Sequence, residues 1–342
     1  LFCGAGGLTL GLEEAGVKTI CAVDFEPYRL QTFASHSPRT DIKQTDIRSI
    51  DFRSYRGKVE LVYGGPPCQP FSSGGLRAAA DDERDMIPEY LRVIREVQPA
   101  AFLMENVPGL TVGERAKYLG RVVVEFEALG YKVVWKVLNA ADFGVPQKRR
   151  RLFVVGLRGK KFRFPTETHG DGRLPPIAVK DVLIVEKVIG EPNQSKVAFA
   201  KNPDPRPSPY DGHLFNGGGR PIDPAKPCHT ILASAGGNKT HFFDRYGMVP
   251  EYHRHILEGG KPREGTLPGA RRLTVEESAL IQTFPSTLRF YGPRSAQYHQ
   301  VGDAVPPRLA AALGKSLFLQ LSGSPTDLVA EKALSPPPVA GG

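Results

Sequence analysis

Cysteine is scarce in this chain: four residues in 342, at Cys3, Cys21, Cys68 and Cys228. They lie far apart, with no CxxC and no Cys/His ligand spacing. This excludes a disulfide framework and a zinc-type centre as the basis of the fold, and predicts free thiols in a reducing compartment. No metal is expected. No apolar run approaches the roughly 20 residues of a membrane span, and no signal-peptide pattern opens the chain, so a cytoplasmic protein with no membrane partner is expected. The GxGxxG fingerprint is missing, which argues against a nicotinamide dinucleotide. A starting methionine is missing too; residues ahead of Leu1 are expected to have formed most of a first strand.

What is present is a 40% hydrophobic chain with a net charge of +9, enough for a sizeable core and two domains. The charge is uneven. Residues 157–272 carry 19 Lys and Arg against 12 Asp and Glu, and six of the eight histidines. A polyanion would bind such a segment, and nucleic acid is the foremost candidate, against a merely basic solvated surface.

The first half alternates apolar strands and amphipathic helices. A glycine turn, Gly4-Ala5-Gly6-Gly7, follows Leu1-Phe2-Cys3 and leads into a helix over 8–15. The strand Thr19–Asp24 ends in an acid roughly 20 residues past that turn, where a nucleotide-type fold puts a carboxylate for ribose hydroxyls. A helix over 27–35 and a strand end at Thr45-Asp46-Ile47 follow. Val59–Tyr63 is a buried strand stopped by Gly64-Gly65-Pro66-Pro67, so Cys68 sits on a stiff loop at a strand's carboxyl end, as a nucleophile or as a loop cysteine with no role. Residues 74–84 read as a loop able to close over a substrate. A helix over 87–97 places Ile87, Leu91, Ile94 and Val97 on one face. The strand Ala101–Met104 then ends at Glu105-Asn106-Val107. A helix over 118–129, a strand over 131–138, the basic run Lys148–Arg151 and a strand over 152–156 complete an α/β pattern. The fold class expected is a doubly wound, mostly parallel sheet.

Beyond Gly156 the chain is rich in proline and glycine with few helical patterns, and reads as a second, smaller, mostly β and irregular domain. Gly217–Gly219 and Gly236-Gly237 mark loops where backbone could approach a ligand. Thr274 and Glu277 form a capping box for a helix over 274–284. Residues 300–305 read as a loop and 306–321 as a final helix. The expected division is 1–156 for catalysis and cofactor, 157–272 for target recognition, 273–321 returning to the first domain, and 322–342 as a disordered tail.

These segments in order closely resemble the cytosine-C5 DNA methyltransferase family, from Leu1 to about Leu321. Leu1–Gly7 resembles its first motif, Asp24 and Asp46 the next two, and Gly65–Ser72 the catalytic one. Glu105-Asn106-Val107, Gln147–Arg151, Arg272–Glu277 with Phe284-Pro285, and Val301–Pro307 resemble later motifs. The resemblance implies a Rossmann-like methyltransferase fold with S-adenosylmethionine as cofactor and double-stranded DNA as partner. It also implies a target cytosine flipped from the duplex, attacked at C6 by Cys68. Glu105 would hold N3 and the exocyclic amine, with a raised pKa, while Arg149 and Arg151 contact the base carbonyl and a phosphate. Phe2, Gly4, Gly6, Asp24, Phe25, Asp46, Ile47, Gly65, Pro67, Ala304 and Val305 would form the cofactor pocket; Asp303 stands where the family often has asparagine. Gln147, Arg150, Thr230, Arg271 and Arg272 are expected on the DNA, Thr230 through its place in Cys228-His229-Thr230-Ile231. A compact prokaryotic-type monomer is expected, with a cognate restriction endonuclease as companion in the same cell. The family's transfer-RNA branch fits less well, since its Cys-Phe-Thr signature is absent. A catalytically inactive DNA-binding regulator fits less well too, since Cys68, Glu105, Arg149 and Arg151 are all retained.

Overall fold

The computed structural model describes residues 1–67, 84–233 and 237–322. Cys68, nearly all of the loop read over 74–84, Gly236 and the tail after Ser322 lie outside the described residues. The chain forms two compact units. The first comprises Leu1–Asn139, Arg150–Thr166 and the described residues from Ala310; the second comprises Ala140–Arg149 and Glu167–Leu309. The described residues of the first unit resume at Ala310.

In the first unit the order is α1 (Gly7–Glu14), β1 (Cys21–Asp24), α2 (Pro27–His36), β2 (Asp41–Gln44), β3 (Leu61–Gly64), α3 (Ile87–Val97), β4 (Ala101–Asn106), α4 (Glu114–Ala128), β5 (Tyr131–Asn139) and β6 (Arg150–Arg158). Strands β1 and β2 pair in parallel; β3, β4, β6 and β5 form a second sheet in that spatial order. Leu1–Cys3 bridges β1 and β3: the Cys3 N–H donates to Val23 O at 3.2 Å and the Leu1 nitrogen to Tyr63 O at 2.8 Å. A cavity of about 540 Å³ lined by Cys21, Leu61, Tyr63, Val97 and Leu317 opens beside it. The pairing of β3 with β4 is parallel, as expected, but β6 runs antiparallel to both β4 and β5. This reversal matters for the site: it brings the start of β6 to the edge where β4 ends.

Helix α3 shows why these residues fold as they do. Pro88 fits the first turn, which lacks intrahelical donors, and Gln98 in the left-handed region (φ 53°) ends the helix before Pro99. Ile87, Tyr90, Leu91, Val93, Ile94 and Val97 are buried, joining Phe102, Met104, Phe126, Leu152 and Val154 in one core. The Phe102 and Phe126 rings stack at 4.2 Å, with Tyr90 and Tyr131 edge-on. Each such side chain contributes about 1.5–3 kcal/mol by burial. Gly156 on β6 makes room for this cluster, since a Cβ there would lie 2.1 Å from the Phe102 ring. Helix α8 (Pro307–Leu321) packs on α1, with Gly314 allowing close approach to Ala15.

The second unit has two small antiparallel pairs, β7 (Phe199–Asp204) with β8 (His213–Phe215) and β9 (Phe242–Asp244) with β10 (Ala270–Arg272). Val197, Leu214, Phe215, Phe242, Val249, Tyr252 and Leu267 form its core. It holds more helix than expected. Helix α5 (Met248–Leu257) buries Val249 and Tyr252, with Pro250 tolerated in its first turn. Helix α6 (Val275–Ile281) has the expected capping box, Thr274 and Glu277 exchanging two bonds of 3.0 Å. Helix α7 (Arg294–Asp303) runs through residues 300–303, which had read as loop.

The run Gly217–Gly219 does not leave room for a ligand. A Cβ on Gly217 would lie 2.0 Å from Asn238 O and one on Gly219 2.0 Å from Thr240 O, so the glycines serve close backbone packing. Gly219→Ala is expected to destabilise the protein by about 1–3 kcal/mol through overpacking, read as a lower urea midpoint than that of the parent. An unchanged midpoint would contradict the packing role.

Candidate active site

The described residues that flank 68–83 are tied to β4 and to one another. The Asn106 amide, buried at the end of β4, donates to Pro66 O at 3.1 Å, and the Met86 N–H donates to Pro67 O at 3.0 Å. Residues 67 and 86, on either side of the loop, are thereby joined. Gly65 lies against Glu105: a Cβ there would sit 2.9 Å from Oε2. Asn106 had been read only as part of a motif; a polar residue buried at the end of an apolar strand signals a hydrogen bond of this kind.

Glu105 and Arg151 meet, with Arg151 Nε 3.0 Å from Glu105 Oε1 and both side chains about 85% buried. The antiparallel register of β4 and β6 sets this pair, Asn106 lying opposite Leu152. Arg151 also donates to Arg150 O at 2.8 Å, and Arg150 itself is exposed.

Arg149 has other partners. It is fully buried and donates to Ile231 O at 2.9 Å and Gly302 O at 2.6 Å, both in the second unit. Its guanidinium holds two backbone segments.

Of the residues expected on DNA, Gln147 and Arg272 are buried and Arg271 is half-buried. Gln147 is fully buried, taking the Ile231 N–H at 2.9 Å and donating to Gln282 at 3.0 Å. Arg272 is buried, donates to Thr240 O and lies over the Phe242 ring at 5.7 Å. Arg271 pairs with Glu277 at 2.9 Å, donates to Val185 O at 2.8 Å and lies over Phe243 at 4.8 Å. Each of these two guanidinium groups lies over an aromatic ring and is held by backbone carbonyls. Thr230 is half-buried and donates to Lys148 O at 2.7 Å.

The cofactor candidates of the first unit gather at the ends of β1 and β3. Asp24, nearly buried, accepts the Gly4 N–H at 2.9 Å and the Glu26 N–H at 3.1 Å, which ties the glycine turn to the end of β1. A carboxylate has about four acceptor positions, so two remain for hydroxyls. Gly4 (φ 54°) faces open space, with nothing within 4 Å of where a Cβ would be, whereas Gly6 (φ 84°) is packed against His36. Phe2 takes the left-handed region at φ 51°, a strained conformation for a bulky residue. Phe25 is 68% exposed beside Asp24, an aromatic face open for stacking. Asp46 caps the short turn Ile47–Ser49 and is paired with Arg48 at 2.6 Å, which holds its carboxyl below the usual carboxylate range; Ile47 is buried. An open glycine turn, a ribose-type acid and an exposed aromatic fit an adenosyl group. In the second unit Ala304 and Val305 follow α7, half-buried and buried, and Asp303 is exposed.

Burial pushes the thiols of Cys3 and Cys228 up to about 12, so neither supplies a thiolate near neutral pH. His241 is buried, accepts the Arg220 N–H at 2.9 Å and faces Thr230 O at 3.2 Å, an arrangement that suits the neutral ring. Burial lowers it to about 4. The unfolded chain, titrating near 6.5, binds the extra proton first, so stability is full above about pH 6.5 and falls toward pH 4, by about 3 kcal/mol in all. In urea melts His241→Gln should lose this part of the acid sensitivity; an identical slope in the variant would contradict it.

Among the described residues no group of three or more His, Cys, Asp or Glu could hold a metal ion, and no helix is long and apolar enough to cross a membrane. Comparison with known proteins gives the family. The model of C-5 cytosine-specific DNA methylases matches residues 1–319. The Type II methyltransferase M.PspPI of Psychrobacter sp. (strain TA137) is 33% identical, over 96% of this chain and 80% of its own length. M.NgoMIV of Neisseria gonorrhoeae, also a Type II methyltransferase, is 31% identical over 93% and 96%. Among solved structures, the S. pombe Dnmt2 methyltransferase superposes with a TM-score of 0.67 at 17% identity, covering 93% of this chain and 96% of its own, a likeness of fold. The chain belongs to the C-5 cytosine-specific DNA methylase family, and is a DNA cytosine-5-methyltransferase.

Proposed function

We propose that the protein methylates C5 of a cytosine flipped from a specific site in duplex DNA, through a covalent bond between Cys68 and C6. The observation that carries the reading is the Glu105–Arg151 pair beside Gly65 and Pro66, at the root of the Cys68 loop. Flipping is required because C5 and C6 cannot be attacked within the stack. Phe2, Gly4, Gly6, Asp24, Phe25, Asp46, Ile47, Gly65, Pro67, Ala304 and Val305 would hold S-adenosylmethionine, which would supply an electrophilic methyl group and be left as S-adenosylhomocysteine. The Cys68 thiolate adds to C6, and the electrons of the C5–C6 double bond pass to C5, which takes the methyl group. Removal of the C5 proton restores the double bond as the C6–S bond breaks, returning the thiolate and releasing 5-methylcytosine.

Glu105 in this reading holds N3 and the exocyclic amine of the base. Its contact with Arg151 orients the carboxyl group at the end of β4, and the N3 contact needs a proton shared with the base. Arg151 faces the base carbonyl from β6, and Arg150 and Thr230 meet DNA backbone. The segment from 157 to 272 serves recognition. Relatives named as Type II methyltransferases favour a role beside a restriction endonuclease.

The test is transfer of labelled methyl from S-adenosylmethionine to duplex DNA, followed by digestion to nucleosides. Label in 5-methylcytosine supports the reading. Label in another nucleoside, or in transfer RNA and not in duplex, overturns it; bisulfite sequencing of the product gives the recognised site.

A further inference from the structure

The glycine turn Gly4–Gly7 is held from two sides. From β1, the Asp24 carboxylate takes the Gly4 N–H at 2.9 Å. From the last residue of α2, His36 reaches back to place its Nε2 2.9 Å from Ala5 O. A carbonyl only accepts, so Nε2 carries the proton in this contact. Nδ1 is buried with no hydrogen-bond partner among the described residues. A second proton there would be stranded without an acceptor, and burial lowers the ring's pKa although Ala5 O and Glu13 favour the charged form. The ring is therefore neutral, with one donor, and that donor is committed to the turn.

Packing reinforces the contact. Gly6 sits in the left-handed region at φ 84°, and a Cβ on it would lie 2.4 Å from His36 Nε2 and 2.9 Å from the Phe33 ring. Phe33 itself supports the imidazole, their centroids 5.1 Å apart. The end of α2 is anchored in turn, since the Ser37 hydroxyl donates to Glu13 on α1 at 3.1 Å. We propose that His36 is a positioning residue for the cofactor, holding the glycine turn through Ala5 O in the shape that takes S-adenosylmethionine. The inference rests on the function proposed above and adds to the cofactor residues one that acts through the turn. A preformed turn lowers the ordering cost of binding. It serves the bound cofactor equally before and during methyl transfer, so its effect falls on cofactor affinity and not on the chemical step.

The test uses the full chain and two variants that divide what His36 supplies. His36→Phe keeps a ring beside Gly6 and removes the donor. His36→Gln gives up the ring and keeps an amide N–H at nearly the same distance from the backbone. Affinity for S-adenosylhomocysteine is measured by calorimetry without DNA, and the constants for methyl transfer are measured alongside. In His36→Phe, Kd for S-adenosylhomocysteine and KM for S-adenosylmethionine should each rise about 5- to 10-fold, the share of one hydrogen bond. kcat and KM for DNA should stay within about twofold. In His36→Gln both cofactor constants should stay within about threefold of the parent. If His36→Phe does not fold, His36→Ala, which also lacks the donor, should show the same rise. Nitrogen NMR of the parent should show the His36 proton on Nε2. Parental cofactor constants in the variant without a donor, glutamine as harmful as that variant, a loss confined to kcat, or a proton on Nδ1 alone overturns the inference. A parent that binds no S-adenosylhomocysteine overturns the underlying cofactor reading instead.

Discussion

Cys68→Ala is expected to abolish methyl transfer, lowering kcat by at least about 10⁴-fold while leaving duplex affinity within a few-fold of the parent. No other cysteine of the chain can stand in. Cys3 and Cys228 are held as thiols by burial, and Cys21 lies half-buried on β1 with the Tyr55 side chain as a hydrogen-bonding neighbour. The loss falls on kcat because the bond to C6 exists only along the reaction path and contributes nothing to binding of the duplex. Retention of more than about a tenth of the parental kcat would exclude nucleophilic attack by Cys68. Serine at this position should be nearly as inactive, since its hydroxyl ionises far less readily than a thiol.

Glu105→Gln should lower kcat by roughly 10²- to 10⁴-fold, the usual reach of a positioned acid–base group. The amide preserves volume and a hydrogen bond to the base, so KM for DNA should move less than kcat. It cannot carry the proton shared with N3, and it leaves Arg151 beside a neutral group at an 85% buried site. Arg151→Leu should be harmful as well, and the two changes together should cost less than the product of their separate effects, because the pair acts as a unit. Independent, multiplicative losses would place the two side chains in separate roles.

Much of this was legible in the sequence because periodicity and punctuation agree in the first half. Helix α3 begins and ends where its apolar spacing says it should, and Asp24 and Glu105 stand at strand ends where acids interrupt apolar runs. Strand direction was not legible. The strands read over 131–138 and 152–156 carry no mark of direction, and the register with β4 shows that β6 is reversed. A parallel β6 would have put Arg151 at the edge away from Glu105.

The arginines were the harder case. A cation in a basic stretch looks solvent-exposed until its surroundings are known, and Arg149, Arg271 and Arg272 each owe their place to partners more than 30 residues away or to rings on a paired strand. Their long stems and planar heads suit them to bridging carbonyls as well as to meeting phosphates. Helix α7 was missed for a related reason: Gly302 weakens the helical pattern, and its close approach to Leu232 O becomes evident only in three dimensions.

The covalent bond between Cys68 and C6 can be tested directly. Duplex DNA carrying 5-fluorocytosine at the methylated position is incubated with the protein and S-adenosylmethionine, and the products are separated under denaturing conditions. Fluorine cannot leave as the C5 proton does, so the account predicts a protein–DNA adduct stable to denaturant, with the modified peptide containing Cys68. Absence of an adduct in a preparation that methylates ordinary cytosine, or an adduct mapped to another residue, would contradict it.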